Sequence, residues 1–443
     1  MTDTKPCAII SRKRILQTWW PLAMSWFLMA LELPALSAVL ARMSEPKINL
    51  AAYGGIVFPM ALIIEAPIIM LLAASTALSK DWPSYRKIRR FMHVVSGSLT
   101  FVHIVVVATP LYYFFAEGII GAPSEIIEPA RLGLTLMLPW TWSVAYRRFN
   151  QGVLIRYQHT GTIGKGTLIR LSTDLTVLLV SYFSDAVPGI AAAAGAVALG
   201  VVAEAVYIGI KVQPVLANQL RQEPVIRPEL NRRTFLSFYT PLALTSLITL
   251  LSQPLISAAL SRMPRALDSL AVWPVISGLL FILRSPGVAY NEVVVSLIGK
   301  PGAFQGLRRF AGQLVAVTTA LLLFVAATPL SDFWFEDISA LPPSLISLAS
   351  TAMWFGLLVP GANAFQSWFQ GLIVHSRKTR GIPEAVALFL LVTTGIYVFG
   401  IRVFTQPGIY VGVLGFSAGM IVQAVWLWFR SRPAVREIQQ RSG

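Results

Sequence analysis

Apolar positions run along this chain in long stretches separated by short polar clusters, and the stretches are longer than a helix buried in a soluble domain requires. A helix rising 1.5 Å per residue needs about 20 apolar residues to cross the hydrocarbon core of a bilayer. Twelve stretches meet that length, at residues 18–42, 50–78, 91–116, 130–147, 166–186, 189–211, 234–260, 268–298, 310–331, 345–371, 382–402 and 408–430. What remains between them is too short to fold as a soluble domain. The pattern predicts an all-α integral membrane protein of twelve transmembrane helices.

The polar clusters orient those helices. Basic pairs and triplets recur in every second connection: Arg12-Lys13-Arg14, Arg89-Arg90, Arg147-Arg148, Arg232-Arg233, Arg308-Arg309, Arg377-Lys378 and the Arg430 to Arg436 group. Lys5 and Arg170 belong to the same set. The alternate connections hold only Arg42, Lys47, Arg131, Arg262, Arg265 and Arg402, and they carry acids such as Glu125, Glu128, Asp185 and Asp268. An excess of Lys and Arg marks cytoplasmic loops, so both termini are expected in the cytoplasm. The first apolar run is too long for a cleavable signal and reads as an anchor that stays in the chain.

The sequence is also one unit written twice. A shift of about 220 residues sets the first half on the second. Pro21-Leu22-Ala23 falls on Pro241-Leu242-Ala243, Pro34 on Pro254, Arg42-Met43 on Arg262-Met263, Arg89-Arg90-Phe91 on Arg308-Arg309-Phe310, and Ala108-Thr109-Pro110-Leu111 on Ala327-Thr328-Pro329-Leu330. Gln151-Gly152 matches Gln370-Gly371, and Pro139 matches Pro360. Six spans is an even number, so the two six-helix lobes are expected as a parallel repeat about an axis along the membrane normal, with a cavity between them whose opening alternates. The expected boundaries are a tail at 1–17, an N-lobe at 18–211, a linker at 212–233, a C-lobe at 234–430 and a tail at 431–443.

Composition narrows the class further. The 443 residues are 55% hydrophobic and only 13% charged, with a net charge of +16 and a single cysteine, Cys7. A soluble enzyme or a disordered chain does not have this composition. A nucleic-acid binder needs a basic face on a soluble domain, whereas these bases sit between apolar runs, where they meet anionic lipid at the cytoplasmic face. One cysteine leaves no thiolate cluster for a metal. His93 and His103, ten residues apart, have no ligand spacing. Gly161 to Thr167 mimics a phosphate loop but lacks the spacing and the Ser or Thr after Lys165. No reacting constellation assembles, so neither an enzyme nor a cofactor is expected, and active transport has to draw on a gradient.

A charge within a span costs at least about 2.5–3.5 kcal/mol on insertion scales and marks a candidate site. The candidates are Glu32, Glu65, Asp174, Glu204, Arg284 and Glu292. Glu32, Glu65 and Arg284 fall near the middle of their spans, so Arg284 paired with Glu32 or Glu65 is an expected gate. A substrate anion would take the guanidinium, which binds carboxylate or phosphate through a fixed fork, and a coupling H+ or Na+ would take Glu32 or Glu65. A structural ion pair is the competing reading. Asp174 is expected to pair with Arg170 one turn away, and Glu204, which aligns with Gln423, and Glu292 are weaker candidates.

Trp20-Pro21-Leu22, Leu50-Ala51-Ala52-Tyr53-Gly54, Leu111-Tyr112-Tyr113, Pro241-Leu242-Ala243-Leu244 and Ser252-Gln253-Pro254-Leu255-Ile256, with a Gln-Gly segment and a basic turn between helices 4 and 5 of each lobe, carry a resemblance. The chain resembles the multidrug and toxin extrusion (MATE) / oligosaccharidyl-lipid / polysaccharide flippase superfamily, and within it the progressive ankylosis protein family. That resemblance implies a monomeric exporter or antiporter in the plasma membrane, a bacterial inner membrane here. It implies Glu32 as the helix 1 acid of drug exporters and Gln253 as its counterpart in the second lobe. The expected substrate is an organic or phosphate-bearing anion. The alternatives are a flippase for a lipid-linked precursor and cation-coupled multidrug efflux, the last opposed by Arg284.

Overall fold

The computed structural model describes residues 11–300, 302–376 and 379–442. Lys5, Cys7, Arg377 and Lys378 lie outside the described residues. The described chain is helical and contains no β-strand. In chain order the α-helices are α1 Arg12–Ala30, α2 Glu32–Leu40, α3 Pro46–Ala52, α4 Phe58–Glu65, α5 Leu71–Leu78, α6 Trp82–Ala108, α7 Leu111–Tyr113, α8 Ser124–Leu136, α9 Leu138–Arg156 and α10 Thr160–Ser184. They continue as α11 Gly189–Asn218, α12 Arg232–Leu250, α13 Ser252–Ser261, α14 Ala266–Leu297, α15 Ala303–Ala327, α16 Leu330–Asp332, α17 Pro343–Trp354, α18 Val359–His375, α19 Gly381–Val403 and α20 Gly408–Ser442.

Among the described residues nine helices are long and apolar enough to cross a membrane, or ten when α17 and α18, bent by 42° at their junction, count as one. The two other stretches expected to span, 130–147 and 166–186, are helical, in α8 to α9 and in α10. They fall short of the apolar standard for a physical reason. α9 carries Arg147, Arg148 and Gln151, and α10 carries Arg170 and Asp174.

The duplication is written in the backbone as well as in the sequence. α1 breaks at Leu31 and α12 breaks at Leu251, about 220 residues later, each restarting at once as α2 or α13. Glu45 and Arg265 hold the same left-handed conformation, φ 51° and 57°, just before α3 and α14. After α6 and α15 the chain extends at Thr109 and Thr328, and a π-helical turn follows at Phe114–Ile120 and at Phe333–Ile338. Pro139 and Pro360 stand in the first turn of α9 and α18, where a missing N–H costs nothing, so each proline starts a new helix instead of bending a continuous one.

The chain packs as two compact units. One holds the described residues within Met1–Ala35, Met263–Arg265 and Val272–Gly443, the other Leu36–Arg262 and Ala266–Ala271. Their membership departs from the sequence halves 18–211 and 234–430: α1 packs with the second-half helices, and α12 with α13 packs with the first-half helices.

Within the first of these units, Ile15 of α1 is buried among Tyr290, Leu297, Leu307, Phe310 and Leu372. The Trp19 indole donates to the Pro286 carbonyl at 3.0 Å. Pro286 itself cannot donate to Ile282, and the Ser285 hydroxyl takes over that carbonyl at 2.8 Å, a repair that lets proline persist in an apolar medium.

In the second unit, α10 and α11 run in close contact because Gly200 has no side chain. A Cβ there would lie 1.6 Å from Asp174 Oδ1. Gly152 of α9 is pressed as tightly on α5, its would-be Cβ 2.5 Å from the Leu72 carbonyl and 2.9 Å from the Thr76 amide nitrogen. The second expected span is broken: α4 ends at Glu65, a turn occupies 66–70, and α5 resumes at Leu71. The Tyr239 hydroxyl of α12 donates to the Pro67 carbonyl exposed by that break. Arg262 donates to the carbonyls of Gly118, Ile119 and Ile120 at 3.2, 2.7 and 2.7 Å, placing a cation on the negative end of a helical turn.

Candidate functional site

Arg284 lies in α14 between Pro274 and Pro286. Its guanidinium stands 5.2 Å from the centre of the Phe281 ring and 5.8 Å from that of Phe416 on α20. Phe416 is in turn held edge-on by Trp273 and Phe389. The side chain is half-buried, and its Nε is buried without a hydrogen-bond partner among the described residues. An aromatic face attracts a cation through its quadrupole, by about 0.5–2 kcal/mol. It leaves the planar donor fork available, which a carboxylate would not.

Glu32 opens α2 directly after the break at Leu31 and is half-buried. A carboxylate in a first turn is favoured by the helix dipole, which gives its charge a local reason. Gln253, second residue of α13 after the break at Leu251, is half-buried in the matching place of the repeat. Glu65 is 4% exposed at the last position of α4. Glu292 is exposed.

The densest buried chemistry lies elsewhere, around Glu204 of α11. This carboxylate is fully buried and accepts from Arg147 Nη1 of α9 at 2.5 Å and from Gln151 Nε2, one turn further on, at 2.9 Å. Arg170 Nε of α10 approaches to 3.7 Å. Arg148, half-buried beside Arg147, lies near the carboxylates of Glu65 and Glu204 and the like charges of Arg147 and Arg170. Arg147, Arg148 and Arg170 are therefore not the loop residues of the charge count but residues of α9 and α10. The apolar stretch ends at Arg147 because the first charges end it; the helix runs on to Arg156 because those charges find partners. The missed signal was Glu204 itself, a carboxylate in an apolar helix that requires a cation. Its counterpart Gln423 and that of Arg147, Gln366, are neutral, while Gln151 recurs as Gln370, so the charged cluster belongs to one half of the repeat alone.

The fold is shared with solved transporters. An inward-facing multidrug resistance MATE family transporter of the MOP superfamily matches with a TM-score of 0.70 at 14% identity, over 96% of this chain and 99% of that one. The lipid II flippase MurJ, in an inward closed conformation, matches with 0.70 at 16% identity, over 96% and 90%. A MOP superfamily transporter from Pyrococcus furiosus, described by the reverse polarity of its binding pocket, matches with 0.62 at 15% identity, over 96% and 97%. No family model and no curated protein sequence matches the chain. At these identities the likeness is one of fold. Among the described residues no group of three or more His, Cys, Asp or Glu side chains could hold a metal ion.

Proposed function

We propose that this chain is a secondary transporter that moves an organic or phosphate-bearing anion across a membrane by alternating access. The observation that carries the proposal is Arg284: a half-buried arginine in a proline-flanked helix, held by two aromatic rings. A permanently charged fork so placed is suited to carboxylate or phosphate and repels a cationic drug. The reading includes twelve spans with both termini cytoplasmic, in a bacterial inner membrane, and a parallel repeat of two lobes. The alternation of basic clusters and the recurrence of backbone features support it. Glu65, at a helix break, and Glu32 are proposed, each by itself, as sites for a coupling H+ or Na+, and Gln253 as a substrate contact. An anion substrate also suits the progressive ankylosis branch.

The test is ligand-induced heat stability of the purified protein. Citrate or pyrophosphate is expected to raise the melting temperature of the wild type and leave Arg284→Gln unmoved, while a cationic dye shifts neither. A shift of equal size in Arg284→Gln would remove the site assignment.

The likeness to the lipid II flippase MurJ favours a second reading, transfer of a lipid-linked phosphate-bearing precursor, in which Arg284 meets the phosphate. It predicts that a strain lacking the protein accumulates a lipid intermediate, which the first reading does not.

A further inference from the structure

The connection from α6 to α8 contains a feature that the proposed transport leaves unused. A groove of about 450 Å³ runs along the outside of the second unit between α6 and α8. Ile104 and Ala108 of α6 line one wall and Leu132 and Thr135 of α8 the other, and Arg131 and Glu128 stand in it as well. Along α8 the surface changes polarity over about one helical turn. Phe101, Val102, Leu132 and Leu136 are large exposed apolar residues, whereas Ser124, Glu125 and Glu128 are exposed and polar. A change of that kind on a membrane helix marks the boundary between hydrocarbon and headgroups, and it falls at Arg131.

Arg131 is fixed by its surroundings. Its Nε donates at 3.0 Å to the Val107 carbonyl, in the last turn of α6, where carbonyls lack helical partners. Its Nη1 donates at 2.8 Å to the Tyr113 hydroxyl, and the guanidinium sits 5.3 Å from the centre of the Tyr113 ring. The Tyr113 hydroxyl donates at 2.6 Å to Glu128 Oε1. Two of the five guanidinium N–H groups are thus engaged by protein groups, and three remain for an anion. Glu128 Oε2 remains for a cation. A fixed cation and a fixed anion, one helical turn apart on α8 at the head of an apolar groove, match an amphiphile that carries a phosphate and an ammonium on the same headgroup.

We infer that this groove is a binding site for a phospholipid of the phosphoethanolamine class, with the phosphate on Arg131, the primary ammonium on Glu128 and one acyl chain between Ile104, Ala108, Leu132 and Thr135. The site lies on the outer surface of one unit, and binding to it is independent of whether the protein transports anything.

The experiment counts bound lipid by native mass spectrometry on the full-length protein in mild detergent, titrated with an equimolar mixture of phosphatidylethanolamine and phosphatidylglycerol. The wild type is expected to retain the ethanolamine lipid over the glycerol lipid by about threefold or more, the scale of one partly exposed ion pair. Glu128→Gln brings the two to parity, Arg131→Gln lowers both, and Ala108→Phe, which fills the groove without touching a charge, also lowers both. A second titration on the wild type alone replaces the ethanolamine lipid with phosphatidylcholine, whose ammonium has no N–H to donate; retention is expected to fall. Equal retention of ethanolamine and choline lipids, or of ethanolamine and glycerol lipids, by the wild type overturns the assignment, as does an unchanged preference in Glu128→Gln.

Discussion

Removing the Arg147 charge tests the Glu204 cluster. In Arg147→Met the 2.5 Å bond to Glu204 disappears while the carboxylate stays fully buried. Breaking a buried ion pair by deleting one partner costs about 3–5 kcal/mol, because the other charge is left uncompensated; a lost neutral hydrogen bond costs about 1–3 kcal/mol. Gln151 at 2.9 Å and Arg170 at 3.7 Å remain, which places the expected cost near the lower end, about 3 kcal/mol, or roughly a hundredfold in the folding equilibrium. The assay is unfolding in mixed micelles, followed by tryptophan fluorescence, for the wild type, Arg147→Met, Glu204→Gln and the double variant. If the penalty is an unpaired buried carboxylate, adding Glu204→Gln to Arg147→Met recovers a large part of the lost stability. A double variant no more stable than Arg147→Met alone, or a single variant that loses less than about 1 kcal/mol, would refute the reasoning and return the cluster to a solvated ion pair.

Two further expectations follow from close contacts and from a cap. Gly152→Ala places a methyl against the backbone of Leu72 and Thr76, atoms that cannot swing aside; overpacking of this kind costs about 1–3 kcal/mol, read as a lower melting temperature, whereas Gly97→Ala, inside α6 with a Cβ that would meet nothing within 4 Å, does not lower it, because alanine favours the helix over glycine. Asp81, the cap of α6, accepts from the amides of Ser84 at 2.9 Å and Ile226 at 2.8 Å. Burial raises its carboxyl, and those hydrogen bonds with the nearby Lys87 charge outweigh it, so its pKa lies below the ordinary carboxylate value. With the folded value depressed, its contribution is complete above about pH 4 and is lost as pH falls through the lower folded value. Hydrogen exchange at the Ile226 amide is therefore expected to stay slow in the wild type down to about pH 4 and to be fast at neutral pH in Asp81→Ala.

The parts of this structure legible in the sequence are those written in repeated or apolar positions. Pro139 and Pro360, and Thr109 and Thr328, recur about 220 residues apart, and the backbone does the same thing at each pair. The exchange of α1 and α12 to α13 between units was not legible, because a lipid-facing or protein-facing apolar stripe looks the same whichever partner covers it. Arg147 and Arg170 misled for the opposite reason: positive charge near a span end reads as a loop, and only the position of Glu204 on a third helix shows that both are inside. Glu32 and Arg284, expected in opposite lobes, sit in one unit, where Arg284 rests on Phe281 and Phe416, and ring contacts across helices leave no spacing signal in a chain rich in phenylalanine.

The central claim is that Arg284 receives an anion. Its most direct measurement is uptake into proteoliposomes of a panel of carboxylate and phosphate-bearing anions alongside a cationic drug, for the wild type, Arg284→Lys and Arg284→Gln. The account predicts anion uptake by the wild type, a loss of about tenfold or more in Arg284→Gln, and partial retention in Arg284→Lys, which keeps the charge without the fork. Anion uptake unchanged in Arg284→Gln, or uptake of the cation alone by the wild type, would contradict it.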